Sequence, residues 1–126
     1  ASDVYKRQGL HAPKSMFWAT CGLDEPNVTE ITNVQVPLGK LKCLHYSPAC
    51  TKELADTVRE ELLNRPNQID NFLLLDSHGV LITTNDLHRA AMILEVTEWN
   101  AEIAYKQAVF NKLGLLDGYH SCGKKI

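Results

Sequence analysis

The chain has 126 residues, of which 44% are hydrophobic and 22% are charged, and its formal net charge is −2. This size and balance predict one compact domain with its own core, and they exclude a generic nucleic-acid binder, which needs a basic excess. No apolar run approaches the ~18 residues of a membrane span.

The first eight residues have neither helical nor alternating periodicity. They resemble the in-frame translation of a transposase adapter used in the preparation of DNA libraries. We therefore divide the chain into an adapter-derived tail, residues 1–8, and a domain, residues 9–126, and we expect the tail to pack against nothing. An adapter next to Gly9 would mean that the domain is truncated at its N-terminus. An ordinary frayed terminus is the alternative.

The next part of the chain predicts one short helix and two extended segments. Pro13 in a first turn and Gly22 as a C-cap predict a short buried helix over residues 13–21. The β-branched residues of segment 28–37 predict a strand or extended chain, and alternation over residues 41–46 permits another short strand.

An amphipathic helix follows these segments. Thr51 is a suitable N-cap, and Leu54, Val58 and Leu62 lie on one face at a spacing of four. The helix is expected to end near Asn64-Arg65-Pro66.

Two strands are predicted next. Residues 72–75 form a continuous apolar run, which is typical of an interior strand covered on both faces, and residues 80–84 form a second candidate. Four residues between two strands favour a hairpin or a tight bend, which we place at residues 77–79.

A long helix over residues 86–111 completes the pattern, with alanines at three-four spacing that would allow a close approach to its neighbours. The tail from residue 113 to residue 126 contains three Gly and is interpreted as loose or partner-dependent. The whole predicts an α/β layered domain with a central, largely antiparallel sheet flanked by helices.

The four cysteines, Cys21, Cys43, Cys50 and Cys122, contain no CxxC pair and match no zinc-ribbon spacing. We interpret them as free buried thiols in a reducing compartment, the cytoplasm, while a disulfide pair stays open as the alternative.

The polar sequence Asp76-Ser77-His78-Gly79 is the main candidate for chemistry, because it places His78 at a strand end. Asp76, two residues from His78, would share its face on a strand and orient its imidazole. A hydrogen-bonded structural histidine is the alternative. His11, just before the first helix, is either a ligand or a loop residue.

Other side chains give weaker signals. His45, His88 and His120 are less informative, and Glu95 and Glu98 are most simply structural. The sequence contains no P-loop, GxGxxG, HExxH or nucleophile-elbow motif.

Several blocks, in their order and spacing, resemble the class II aldolase and adducin head family over about residues 9–111. These blocks are His11-Ala12-Pro13-Lys14-Ser15, residues 47–55, the strand-end segment 73–81 and the helix bearing Ala91, Glu95, Glu98 and Ala101.

This family includes aldolases, epimerases and dehydratases that act on small sugar phosphates through a divalent metal, usually zinc, held by three histidines. The resemblance implies that His11 and His78 are metal ligands, and that the metal polarises the substrate and stabilises an enediolate. Gly9 stands where the first ligand belongs, and Thr84 stands where many members have Gly. The positions of the family's acidic catalytic residue and phosphate-binding region precede residue 9. The chain as given is therefore expected to lack a full active site.

These features lead to two functional hypotheses. The first is a fragment of a metal-dependent lyase or isomerase acting on small sugar phosphates, which His11 and His78 favour. The alternative is a non-catalytic, adducin-head-like protein-interaction module, which Gly9 favours if it is native. The resemblance also implies a homo-oligomer, commonly a tetramer. We expect no nucleic-acid partner and no membrane span.

Overall fold

The computed structural model describes the backbone of residues 3–7 and the whole of residues 12–126. From residue 42 to residue 112 its elements follow the predicted order. In chain order they are β1 Asp3–Arg7, α1 Pro13–Thr20, the π-helix Ile31–Gln35, β2 Lys42–Leu44, α2 Lys52–Leu63, β3 Asn71–Leu75, β4 Gly79–Thr84, α3 Leu87–Lys112, β5 His120–Ser121 and β6 Lys124–Lys125.

Four strands form the central sheet in the order β1-β4-β3-β2. The pairs β1–β4 and β3–β4 are antiparallel, whereas β2 and β3 are parallel. The sheet is therefore mixed, and the prediction of a largely antiparallel sheet is not confirmed. The prediction did not recognise that α2 connects β2 to β3. Parallel neighbouring strands need such a crossover connection, and α2 supplies it.

Helices cover both faces of the sheet, so the domain has three layers. All residues of β3 and β4 are buried, which confirms the burial predicted for the apolar run at residues 72–75 and extends it to β4. Alternation along each strand divides their side chains between two clusters. On the α2 side the buried residues are Leu44, Leu54, Leu73, Leu75 and Leu81, and on the α1 and α3 side the strands contribute Phe72, Leu74, Val80 and Ile82.

Helices α1 and α3 pack closely because small residues line their contact. Ala101 and Ala104 are buried in α3, where Trp18 of α1 joins the same core. The Trp18 indole Nε1 donates a hydrogen bond to the Ala101 carbonyl oxygen at 3.1 Å. A larger side chain at position 101 would separate the two helices.

The segment predicted as extended, residues 28–37, contains the π-helix instead, so that prediction is wrong. The Val36 amide donates a hydrogen bond to the Ile31 carbonyl at 2.7 Å. A hydrogen bond between residues five apart is the pattern of a π-helix. The Asn100 Oδ1 of α3 accepts hydrogen bonds from the Val28 and Thr29 amides, so a distant side chain replaces a strand partner.

The C-terminal residues are also more ordered than predicted, since β5 and β6 pair as an antiparallel hairpin. The backbone N–H and carbonyl oxygen of His120 both bond to the side chain of Gln107 on α3. The Asn33 side chain donates to the Ser121 hydroxyl at 2.6 Å. These long-range bonds hold the hairpin against the domain.

The backbone of residues 3–7 pairs with β4 in an antiparallel register. The prediction that residues 1–8 pack against nothing is therefore wrong for this backbone. Without β1, this edge of β4 would present unpaired amide and carbonyl groups, and any extended segment could satisfy them. The adapter origin of these residues and the domain boundary at residue 9 stay predictions.

Among residues 3–7 and 12–126, no helix combines the length and the apolar character needed to cross a bilayer. Of the four cysteines, which are all free, only Cys43 is partly buried. Since Cys21, Cys50 and Cys122 are exposed, the prediction of buried thiols is wrong for these three.

Candidate functional site

The bend between β3 and β4 carries His78. β3 ends at Leu75 and β4 begins at Gly79, and the His78 amide closes the bend on the Leu75 carbonyl at 2.8 Å. Ser77 adopts a φ of 65°, in the left-handed region that most residues avoid. The predicted pair of strands around a bend is confirmed.

The imidazole of His78 is half-buried and held by a segment that follows β2. Its Nε2 lies 2.6 Å from the carbonyl oxygen of Ser47, and its ring centre lies 5.5 Å from that of Tyr46. The expected orientation of His78 by Asp76 is not observed. Both residues lie in the bend, where strand alternation does not apply, and Asp76 Oδ1 accepts from the Ser77 hydroxyl instead.

The C-terminal end of α1 reaches this bend. The Ser77 amide donates to the Ala19 carbonyl at 3.3 Å. Gly22, with a φ of +67°, lies so close to Asp76 that a Cβ there would stand 3.1 Å from Asp76 Oδ2. A side chain at position 22 would therefore press on the bend that carries His78.

The opposite end of α1 is held by Glu98 of α3. The Glu98 carboxylate accepts hydrogen bonds from the Lys14 amide at 3.0 Å and the Ser15 amide at 2.7 Å. Ala12 offers no side-chain cap and Pro13 has no N–H, so Glu98 satisfies the free donors of the first turn. The interpretation of Glu98 as structural thus has a specific basis, because its carboxylate caps α1. This helix begins just after His11 in sequence.

A buried polar network lies beside this helix end, and sequence reasoning missed it. Asn100 is fully buried, and its Nδ2 donates to Glu25 Oε2 at 2.7 Å and to the Pro26 carbonyl at 2.8 Å. Burial raises the pKa of Glu25 to about 8, while the hydrogen bond from Asn100 opposes the rise. Glu25 is therefore a neutral acid at neutral pH. The only signal of this network in the sequence is Asn100, a polar residue at a core position of α3.

Cys43 is the one partly buried thiol, and its surroundings make it a poor nucleophile. Burial raises its pKa to about 11, and the nearby carboxylates of Asp76 and Asp24 add to the rise. Its backbone amide donates to Asp24 Oδ1 at 2.7 Å. The thiol therefore stays protonated at neutral pH.

The two predicted metal ligands have different outcomes. His11 lies outside the described residues, so its proximity to His78 stays a prediction. Within residues 12–126, no three His, Cys, Asp or Glu side chains are grouped so that they could hold a metal. His78 by itself suits a ligand, because metal-binding histidines commonly donate one ring N–H to a backbone carbonyl, as His78 does to Ser47.

Comparison with known proteins gives two findings. Residues 10–105 match the family model of the class II aldolase and adducin N-terminal domain. The chain is also 26% identical, over 126 aligned residues, to a 5-deoxy-D-ribulose 1-phosphate aldolase of Bacillus thuringiensis serovar kurstaki. That alignment covers 98% of this chain and 56% of the relative, so the chain spans little more than half of the relative's length.

Proposed function

Because the chain belongs to the class II aldolase and adducin N-terminal domain family, we propose that it is part of a metal-dependent lyase acting on small sugar phosphates. Among the reactions considered, aldol cleavage is favoured over epimerisation and dehydration because the aligned relative is an aldolase. The substrate in that relative's name, 5-deoxy-D-ribulose 1-phosphate, is the first compound to test.

The placement of His78 carries this proposal. A half-buried imidazole at the end of a fully buried strand is rigidly placed, and its backbone-carbonyl partner is typical of a metal ligand. We propose that His78 and His11 contribute to a divalent metal site, with zinc as the metal. When bound, the cation would supply Lewis-acid polarisation of the substrate carbonyl.

The chain's own residues would position these ligands. The contact between α1 and the bend ties the helix after His11 to the loop that carries His78. Glu98 holds the start of the same helix on α3. The helix α1 thus connects the two parts of the proposed site through described contacts at both of its ends.

A metal titration tests the proposal on this chain. We expect His78→Gln to weaken zinc binding by more than about 10-fold, since even groups that only orient a ligand change metal affinity by about 10–100-fold. His88→Gln is the matched control, because His88 is exposed on α3. Equal affinities of the two variants in competition with a chromophoric chelator would remove His78 from the site.

The reaction itself is tested on the natural protein that contains this chain. We expect its transcript to encode a His two residues before His11, and the protein to release an aldehyde from 5-deoxy-D-ribulose 1-phosphate. A chelator should stop the release and added zinc should restore it. Failure to cleave this or related sugar phosphates in the presence of zinc would contradict the lyase proposal.

The alternative is a non-catalytic, adducin-head-like module that binds protein partners. Gly9 at the position of a first metal ligand favours it. A native Gly9 in the transcript, together with no zinc binding by the natural protein, would establish this alternative over the lyase. Location in the cytoplasm is proposed for either function.

A further inference from the structure

A buried side chain of α3 holds the chain segment 25–29 against the helix. Asn100 is fully buried, and its Oδ1 accepts hydrogen bonds from the Val28 amide at 2.8 Å and the Thr29 amide at 3.1 Å. Its Nδ2 donates one hydrogen bond to a backbone carbonyl of the same segment at 2.8 Å and the other to Glu25 Oε2 at 2.7 Å. Both donors and the acceptor of the Asn100 amide are therefore used to hold this one segment.

The other carboxyl oxygen of Glu25 has no such support. Glu25 is enclosed by the protein, and within residues 12–126 its Oε1 has no hydrogen-bond partner. The buried hydroxyl of Ser15, at the start of α1, has no partner in this part of the chain either. A carboxylate has two oxygens that both accept, so an ionised Glu25 would keep only the hydrogen bond from Asn100. The geometry therefore suits the neutral acid, because burying a poorly hydrogen-bonded charge is costly.

The segments packed around Glu25 present neutral or negative groups to it. These groups are Ser15 of α1, Asn100 and Glu98 of α3, and the adjacent Asp24. The Lys40 ammonium pairs with Asp24 at 3.2 Å, and Lys14 pairs with another carboxylate of α3 at 2.7 Å. Burial raises the pKa of Glu25 to about 8, and the charge of Glu98 adds to the rise. Within residues 12–126, no Lys or Arg side chain forms an ion pair that would stabilise an ionised Glu25.

We propose that protonated Glu25 is a latch that keeps segment 25–29 closed on α3, and that loss of this proton shifts the segment to an open state. When the Glu25 O–H gives its proton to solvent, the enclosed carboxylate reaches water only if the segment leaves Asn100. The Glu25 amide stays bonded to the Leu41 carbonyl at 3.0 Å, so the opening is local and the sheet stays folded. The latch needs neither a metal nor a substrate and is independent of the function proposed above.

Amide hydrogen exchange of the wild type and of Glu25→Gln, compared at the same pH, tests the latch. Gln has nearly the same shape and cannot ionise, and the intrinsic exchange rate of each amide cancels in the ratio of the two chains. At the Val28 and Thr29 amides, we expect the ratio of wild-type to variant exchange rates to increase between pH 5 and pH 8. The increase should be at most about 10-fold per pH unit, as for the loss of one proton. A ratio that does not change with pH would overturn the inference.

Urea distinguishes a local opening from unfolding of the whole domain. The effect of urea on an opening increases with the surface that the opening exposes. At pH 8 we therefore expect low concentrations of urea to leave the exchange of Val28 and Thr29 nearly unchanged and to accelerate that of Leu74, in β3. If all three amides accelerate equally, Glu25 stabilises the fold as a whole and is not a latch.

A control variant and a measurement on the wild type complete the test. Glu30→Gln removes an exposed carboxylate that directly follows the same segment, so its exchange rates should stay equal to those of the wild type at every pH. The side-chain carboxyl ¹³C signal of Glu25 in the wild type reports ionisation even if Glu25→Gln does not fold. It should titrate well above the ordinary pKa of 4.5, and titration near 4.5 would overturn the inference.

Discussion

Glu25 is a carboxyl buried to 2% exposure whose hydrogen-bonding partner is the neutral side chain of Asn100. Burial, and to a smaller extent the nearby Glu98, favour its protonated form. A carboxyl whose pKa is raised from 4.5 to about 8 keeps its proton in the folded chain at pH values where the unfolded chain has released it. Its contribution to stability is therefore complete below about pH 4.5 and is lost as the pH rises through 8.

Glu25→Gln should remove this pH dependence, because the amide is neutral and has nearly the same shape. We expect the free energy of unfolding of the wild type, relative to Glu25→Gln, to decrease between pH 5 and pH 9 by at most about 1.4 kcal/mol per pH unit. Urea unfolding at several pH values measures it. Glu60→Gln, on the exposed surface of α2, is the control. A constant difference between wild type and Glu25→Gln would contradict a neutral Glu25.

Helix α1 depends on a side chain from another helix for its N-terminal cap. Glu98→Ala removes the acceptor of the Lys14 and Ser15 amides, one of which is partly buried. We expect the free energy of unfolding to decrease by about 1–3 kcal/mol, the range for helix caps and charged hydrogen bonds. Urea unfolding at neutral pH is the measurement.

Glu102 provides the matched control for this prediction, because it also joins α3 to Lys14, through an exposed ion pair at 2.7 Å. The hydrogen bond between them raises the pKa of Lys14 and lowers that of Glu102. Glu102→Ala should lower the free energy of unfolding by less than Glu98→Ala does, because solvent screens exposed pairs. Equal losses in the two variants would mean that Glu98 acts only as a surface charge.

The elements were predictable where their signals are local. The helix α2 follows from its apolar spacing and the Thr51 cap, and β3 follows from its continuous apolar run. The π-helix was not predictable, because the Asn100 side chain that accepts a hydrogen bond from the Val28 amide lies 72 residues from Val28 in sequence. The parallel pairing of β2 with β3 depended on recognising α2 as a crossover.

At the scale of the whole molecule, the proposed metal site predicts a gain from one substitution. The side chains at positions 9 and 11 would share a strand face if residues 9–11 are extended, so Gly9→His should bind zinc more tightly than the wild type. Catalytic zinc usually has three protein ligands, and the wild type offers two. Calorimetry should show weak zinc binding by the wild type. The binding free energy of Gly9→His should be more favourable by several kcal/mol, a gain on the order of half or less of the binding free energy of a structural zinc site.

This prediction concerns zinc affinity and is separate from turnover. Unaltered zinc affinity in Gly9→His would contradict the expected geometry of residues 9 and 11. Gly9→Asn is the control, because it adds a polar side chain of intermediate size without an imidazole. Its affinity should equal that of the wild type.

Exposed apolar side chains on the second half of α3 and just after it predict self-association. These residues are Trp99, Tyr105, Val109, Phe110, Leu113 and Leu115, of which Trp99 is 56% and Phe110 52% exposed. We propose that they form a contact between copies of the chain. Phe110→Glu should lower the mass measured by analytical ultracentrifugation, because it places a charge in that contact.

Asn85→Glu adds the same charge at an exposed polar position and should leave the mass unchanged. A wild-type chain that is monomeric at high micromolar concentration would contradict the proposed contact. An oligomer that persists in Phe110→Glu would place the contact elsewhere on the surface.

The sequence by itself determined the three helices α1, α2 and α3, the strands β3 and β4, the burial of β3 and the position of His78 at the bend. Periodicity and turn chemistry act between near neighbours, so local patterns are enough to specify these features. The family resemblance also came from the order of local motifs, and the match over residues 10–105 confirms it. Only the tertiary structure decided the mixed sheet, the capping of α1 by Glu98 and the neutral Glu25. It also decided the partner of His78, which is a carbonyl 31 residues away rather than the carboxylate of Asp76 two residues away. These features depend on groups that are distant in sequence and meet only when the layers pack, so no local pattern specifies them.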